Sequence, residues 1–479
     1  MSGRTSERGA TRPTTQIFCA STLYGAVTLA AALDSGRFGP AHRRILLVTN
    51  NAAVPETTPA LDEAEGFARL RGRFDEVLSW NETISPLHPA GWTPRASDLP
   101  LLQRHLRRIW TLGDDRVELA LESLQVTPAL AIAQLLPDAP ITVYADGLMS
   151  YGPTRNKIDP LIGGRVGRLL HLDLVPGLAP LLLAEFGAVA EAVPTEAFLR
   201  CVEELAGPDP EAARGVAPEA ARGVAPEASE PAPEDGPAAA GGARPEGPAL
   251  LLGQYLAALD LLSVAEEEEL HLRMVRGAIA RGHRRLVFKP HPTAPDARSR
   301  ALVREAEALG AELTVEDRPV LAEVLYRSLR PALVVGCFST ALLTAHTFYG
   351  LPVARVGTRA LLERLTPYQN SNRVPLTVVD TVVPPLDEDG GGAGAGVGTE
   401  QLNDLVAAVG FAMQPKIRPE LREAAVRHLS GPLAAHTRHH FTRRRLTVLD
   451  LPGGLPLPRH PKIRRLARRA LRLRKALKR

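Results

Sequence analysis

Three short segments carry residue types that could do chemistry, and each follows an apolar run. In Phe288-Lys289-Pro290-His291-Pro292 the run Arg285–Phe288 ends on a cation, a histidine and two prolines. Prolines stop a strand and stiffen the loop after it. His291 would then be held at a strand's carboxyl end, where open α/β sheets place their ligands. An imidazole fixed beside Lys289 suits a phosphate and could protonate a leaving group; a structural turn with a surface histidine is the plainer alternative. In Gly336-Cys337-Phe338-Ser339-Thr340-Ala341 the apolar run Leu333–Val335 gives way to a sequence rich in Ala and Leu. Ser339 and Thr340 would sit at a helix start, where backbone N–H groups and the positive dipole end favour an anion. Simple capping also explains them, and one hydroxyl can cap while its neighbour holds a phosphate. The third segment, Tyr144-Ala145-Asp146-Gly147, places a carboxylate on a tight turn after a strand. That suits a general base taking a proton from an acceptor hydroxyl; an ordinary Asp-Gly turn is the alternative.

The elements needed to position these groups are legible as alternating strands and helices. Strands are expected at Gln16–Ala20, Arg44–Thr49, Glu76–Trp80, Val117–Leu121 and Ile141–Tyr144, with helical patterns between them. A second series starts at Ala249-Leu250-Leu251-Leu252-Gly253-Gln254 and continues with a helix over Val264–Arg281 and the strand ending at Phe288. A helix over Ala297–Leu309, strand Ala311–Val315, a helix over Val320–Ser328, strand Pro331–Val335 and a helix from Thr340 follow. Such alternation predicts an α/β protein with parallel, doubly wound sheets. Two such halves imply two facing Rossmann-like domains with a site in the cleft between them.

The expected organisation is a lead over 1–13, an N-terminal acceptor domain over 14–206 and a linker over 207–248. A C-terminal nucleotide-binding domain with trailing helices over 249–450 follows, then a tether and basic tail over 451–479. The linker contains the octapeptide EAARGVAP twice and is otherwise mostly Pro, Ala, Gly and Glu. Such a composition cannot bury enough apolar surface to offset its ordering entropy.

Bulk properties exclude several classes. With 479 residues and 45% hydrophobic content the chain supports two or three cores. Its three cysteines, Cys19, Cys201 and Cys337, have no metal-ligand or disulfide spacing. No signal-peptide layout and no apolar stretch of spanning length is seen; the apolar region Leu174–Val193 is broken by Pro176, Pro180 and Glu185. A cytoplasmic protein is expected. The net charge of +4 is uneven: residues 459–479 hold 11 Lys and Arg and no acid, leaving 46 basic against 53 acidic residues elsewhere. The body is mildly acidic, so a basic pI is no argument for nucleic-acid binding.

Taken in order, the motifs Ala145-Asp146-Gly147, His291-Pro292 and Ser339-Thr340 resemble those of the bacterial alpha-2,8-polysialyltransferase family, cytoplasmic sialyltransferases with a GT-B fold. The stretch Tyr144–Arg155 looks like actinobacterial-type members. The resemblance implies an inverting, metal-independent transferase that uses a CMP-activated acidic sugar, with no cofactor, to extend a cell-surface glycan. It implies Asp146 as the base and His291 as the group that contacts the donor phosphate and assists its departure. Ser339 and Thr340 would bind that phosphate, Lys289 would add charge, and Pro292 completes the second motif. Gly253 and Gln254 would approach the nucleotide. The sequence departs from the family pattern at Ala145, where a second acid is usual.

On the acceptor side the candidates are Glu122, for which a surface acid is the competing reading, and Ser150, Tyr151 and Arg155. The run Asp387-Glu388-Asp389 superficially matches a metal-binding DxD but sits in a glycine-rich stretch without a preceding strand. His439-His440 lies among arginines, which disfavours a metal ion, and the polar loop Pro367–Arg373 offers substrate contacts without a sharp role. In the tail, Lys462, Arg464, Arg465, Arg468, Arg469 and Arg472 alternate with Leu and Ile at helical spacing. This reads as a basic amphipathic helix that binds an anionic membrane surface at the inner face of the cell membrane. Nucleic acid is not an expected partner. Two other functions fit the same motifs: a CDP-polyol phosphotransferase, and a non-catalytic scaffold that binds nucleotide or glycan.

Overall fold

The computed structural model describes residues 12–145, 147–207, 247–291, 299–386 and 397–455. The repeat-bearing linker (all but Gly207, Gly247 and Pro248), the Asp387–Asp389 run, the basic tail residues, Asp146 and Pro292 lie outside the described residues.

Among the described residues, twelve strands form two sheets. The first is made of β1 (Thr14–Ala20), β2 (Arg43–Val48), β3 (Glu76–Ser79), β4 (Arg116–Glu122), β5 (Ile141–Ala145), β6 (Val166–Leu172) and β7 (Val189–Val193). The second is made of β8 (Ala249–Leu252), β9 (Arg285–Lys289), β10 (Glu312–Val315), β11 (Leu333–Gly336) and β12 (Val353–Arg355). Every pairing is parallel, in the orders β3-β2-β1-β4-β5-β6-β7 and β10-β9-β8-β11-β12. Both are Rossmann-like, and together with the trailing helices they make the GT-B architecture. Strand order reverses between β1 and β4 in the first sheet and between β8 and β11 in the second. At such a switch point the connecting chains leave in opposite directions and open a crevice beyond the carboxyl ends of the strands.

Local sequence explains the helices that flank these crevices. Ser263 caps the helix Val264–Ala280 through a reciprocal bond with Glu266. The helix Thr340–Tyr349 starts on the Ser339 cap and stops at Gly350, whose left-handed backbone (φ +63°) ends it. The helix Thr399–Met413 and the chain after it return to the first half. Asn403 bonds both Gly177 and Ala179, Gln414 Nε2 donates to the Arg155 carbonyl at 2.8 Å, and Arg418 donates to the Leu181 carbonyl at 2.7 Å. The C-terminal segment therefore holds the halves together. The apolar region 174–193 holds turns and the edge strand β7, and among the described residues no helix is long and apolar enough to cross a membrane.

Candidate active site

A cavity of about 460 Å³ lies between the two sheets, and its walls come from both switch points. The first half contributes Glu122 from the end of β4, Ala145 from the end of β5, and Gly147, Leu148 and Arg155 from the chain after it; the second contributes Gly253, Gln254, His291 and Phe338–Thr340. The halves touch directly there. Thr340 Oγ1 accepts a hydrogen bond from Leu148 N at 3.4 Å, and a Cβ on Gly147 would lie 2.9 Å from that same oxygen. Glycine at 147 is thus what lets the turn after β5 approach the start of the helix Thr340–Tyr349.

The second-half wall is braced from within. Gln254 Oε1 accepts from Phe338 N at 2.8 Å, its own N–H reaches His271 Nε2 at 3.4 Å, and Ser339 Oγ accepts from Ala341 N at 3.2 Å. A Cβ on Gly253 would come within 2.8 Å of the Phe288 ring, so only glycine lets the turn after β8 lie flat on β9. His291 lies at the open edge of the cavity. The surrounding protein first, and the Lys289 charge second, hold its imidazole below the ordinary histidine range. Near neutrality it is an uncharged ring able to donate one N–H.

Several expected residues are elsewhere. Lys289 closes β9 with its ammonium turned inward: it is 7% exposed, donates to the Arg318 carbonyl at 2.5 Å and does not line the cavity. Desolvation lowers its pKa. Its position as the last paired residue of a buried strand, beside Leu252, explains this. Ser150 and Tyr151 are also buried away from the cavity. Ser150 Oγ donates to the Gly147 carbonyl at 3.0 Å, and Tyr151 Oη accepts from Val175 N at 3.2 Å. The single turn Leu148–Tyr151 folds them into the first-half core, so they shape the loop and do not face an acceptor.

Glu122 is more than a surface acid. It lines the cavity, and its Oε2 accepts from Ser21 Oγ at 2.8 Å and Ser21 N at 3.2 Å, across the β1/β4 switch point. Burial raises its pKa against the lowering effect of the Ser21 bonds. Arg155 also lines the cavity, and its Nη1 donates to Ser371 Oγ of the second half at 3.2 Å. Ser371 lies in the polar loop noted in the sequence; Ser21, Gln125 and the Phe338 amide carried no sequence signal. Asp146 lies outside the described residues, while Ala145 and Gly147 on either side of it both line the cavity.

The histidine pair sits in a different setting from the arginine cluster that surrounds it in sequence. His439 Nε2 lies 2.6 Å from Asp380 Oδ2, with His440 Nε2 at 3.8 Å from the same oxygen. Asp380 Oδ1 accepts from Thr358 at 2.6 Å and pairs with Arg355 at 3.0 Å. The three side chains could hold a metal ion by spacing alone, but a cation here would compete with the Arg355 guanidinium for the one carboxylate. The cluster ties the C-terminal helices to β12.

The profile of the family described as alpha-2,8-polysialyltransferase (POLYST) matches residues 16–358, from β1 through the start of the helix after β12. The chain belongs to this family. As an alpha-2,8-polysialyltransferase family member it is a GT-B nucleotide-sugar glycosyltransferase. Among solved structures, it is similar to a putative UDP-N-acetylglucosamine 2-epimerase from Listeria monocytogenes at 12% identity, TM-score 0.38, covering 77% of this chain and 83% of the other. It is similar to the GT-B domain of a Photobacterium damselae sialyltransferase at 12% identity, TM-score 0.38, covering 76% and 96%. Acinetobacter baumannii MurG gives 12% identity, TM-score 0.38, covering 89% and 97%. Similarity this remote has no bearing on what the chain does. No curated protein matches it.

Proposed function

We propose that the protein is an inverting, metal-independent transferase that moves an acidic sugar from CMP to a glycan acceptor. The observation that supports this most is an inter-sheet cavity lined by both neighbours of Asp146, by His291 and by Ser339 and Thr340. In the proposed reaction the Asp146 carboxylate takes the proton of an acceptor hydroxyl. The freed oxygen attacks the anomeric carbon from the face opposite the phosphate. The bond from that carbon to the phosphate oxygen breaks, and CMP leaves with the electron pair. His291 donates a hydrogen bond to the departing phosphate, and Ser339, Thr340 and the amides at the start of their helix share its charge. Gly253 and Gln254 flank the nucleotide, while Glu122 and Arg155 face the sugars. Lys289 acts by fixing the end of β9, and Pro292 by restricting the backbone of His291 before it.

The basic residues Lys462, Arg464, Arg465, Arg468, Arg469 and Arg472 are proposed to hold the enzyme at the inner face of the cell membrane. Removing residues 459–479 should abolish co-sedimentation with vesicles containing anionic lipid and leave transfer to a soluble acceptor intact.

Titration with CMP-sialic acid and, separately, CDP-glycerol tests the donor. A ligand that binds only the native state raises Tm, increasingly so as its free concentration exceeds Kd. CMP-sialic acid should raise Tm and yield free CMP once an acceptor is added; a shift with CDP-glycerol alone would replace the proposal with a polyol-phosphate transferase.

A further inference from the structure

We infer that Arg155 is the residue that recognises the carboxylate of an acidic sugar in the cleft, and so sets the substrate class. The inference rests on the donor reading above and deepens it. Among the described residues lining the cavity, Arg155 is the one lysine or arginine. The other titratable residues described there are Glu122, His291 and Tyr144: an acid, a ring whose pKa is held down, and a phenol that donates to the Cys19 carbonyl. A carboxylate entering this cavity therefore has one strong permanent cation to meet.

Arg155 is also held in place before any substrate arrives. Its backbone N–H donates to Gln125 Oε1 at 2.5 Å, its carbonyl accepts from Gln414 Nε2 at 2.8 Å, and Nη1 donates to Ser371 Oγ at 3.2 Å. The fold thus fixes the base of the side chain from two directions and its tip from a third. No described carboxylate forms an ion pair with Arg155, and the Ser371 contact uses one of its five N–H donors. The planar fork matches a carboxylate through two parallel hydrogen bonds, which a lysine cannot reproduce. The buried apolar side chains of Leu182 and Met413 on the same walls lower the local dielectric, which strengthens such a pair.

A sugar carboxylate can come from the donor or from an acidic residue at the end of the acceptor. Affinity for CMP and for CMP-sialic acid, and transfer to lactose against sialyllactose, would be measured for the parent, Arg155→Met and Arg155→Lys. Arg155→Met should bind CMP as the parent does, while one carboxylate-bearing substrate weakens by roughly tenfold to a hundredfold. Arg155→Lys should recover part of that loss. Weakened CMP-sialic acid binding assigns the donor carboxylate; an unchanged donor with a lost preference for sialyllactose assigns the acceptor's. Equal affinities for every substrate overturn the inference. So does a parallel loss of CMP binding in both variants, since that marks Arg155 as a brace for the fold. If the parent binds no CMP-sialic acid, it is the donor reading that falls.

Discussion

The two halves of the cleft differ in how their polar groups are used. The second-half wall is braced largely from within: Gln254 holds the Phe338 amide, Ser339 caps its own helix and Gly253 lies against Phe288, while Thr340 and Ser371 accept from the first half. Such a wall is rigid and suited to receiving a phosphate without rearranging. The first-half wall presents ionisable groups to the cavity: Glu122, whose pKa burial raises, and Arg155, with donors to spare. Its loops are set by side chains folded inward, among them Tyr151 on Val175. In the proposed reaction the second half holds the donor phosphate and the first half supplies the base that drives turnover.

The largest expected effect on the binding half comes from Gly253→Ala. Its Cβ would press on the Phe288 ring, at a cost of about 1–3 kcal/mol for overpacking. Chemical denaturation should show the loss, and CMP affinity should fall with it. Unchanged CMP affinity would break the assignment of this wall to the donor.

A second test uses acid. Burial first, and then the neighbouring His439, bring His440 down to about 3 against the raising pull of Asp380, from 6.5 in an unfolded chain. The fold keeps this ring neutral, so its contribution is complete above about pH 6.5 and drains away as pH falls towards 3. Asp380 adds to the loss at the lower end. Although burial opposes it, bonding to His439 and Arg355 holds its carboxyl below the usual range, and that stabilisation disappears once the carboxylate is protonated. Stability should decline by up to about 1.4 kcal/mol per pH unit from this histidine alone. In His440→Gln, Tm measured from pH 7 to pH 4 should fall less steeply.

The smallest effect is expected from Thr340→Val, which removes the Leu148 contact between the halves. A loss of about 0.5–1.5 kcal/mol is expected. CMP affinity should fall with the lost hydroxyl, and a drop in kcat/KM larger than that loss would mark the Leu148 bond as one that also aligns the halves.

Much of this arrangement was readable in the residues. Continuous apolar runs such as Ile17-Phe18-Cys19-Ala20 and Leu286-Val287-Phe288 announced buried parallel strands, and proline or glycine marked their ends. β6 escaped because Gly167, Arg168 and His171 interrupt its run; β7 and β12 are short strands at the sheet edges. Motif residues at strand ends could be found because the fold class dictates where ligands bind. Lys289, Ser150 and Tyr151 were misplaced for the opposite reason: closeness in sequence to a reactive residue does not fix which way a side chain turns. Ser371 and Gln125 come from loops far from the motifs, and only the folded chain brings them to Arg155.

The most direct measurement compares Asp146→Asn with His291→Asn, reading CMP-sialic acid binding and transfer separately. The division of labour predicts that Asp146→Asn binds donor normally while kcat falls about 10²–10⁴-fold, and that His291→Asn loses donor affinity as well as rate. Full turnover in Asp146→Asn, or unaltered binding and turnover in His291→Asn, would contradict it.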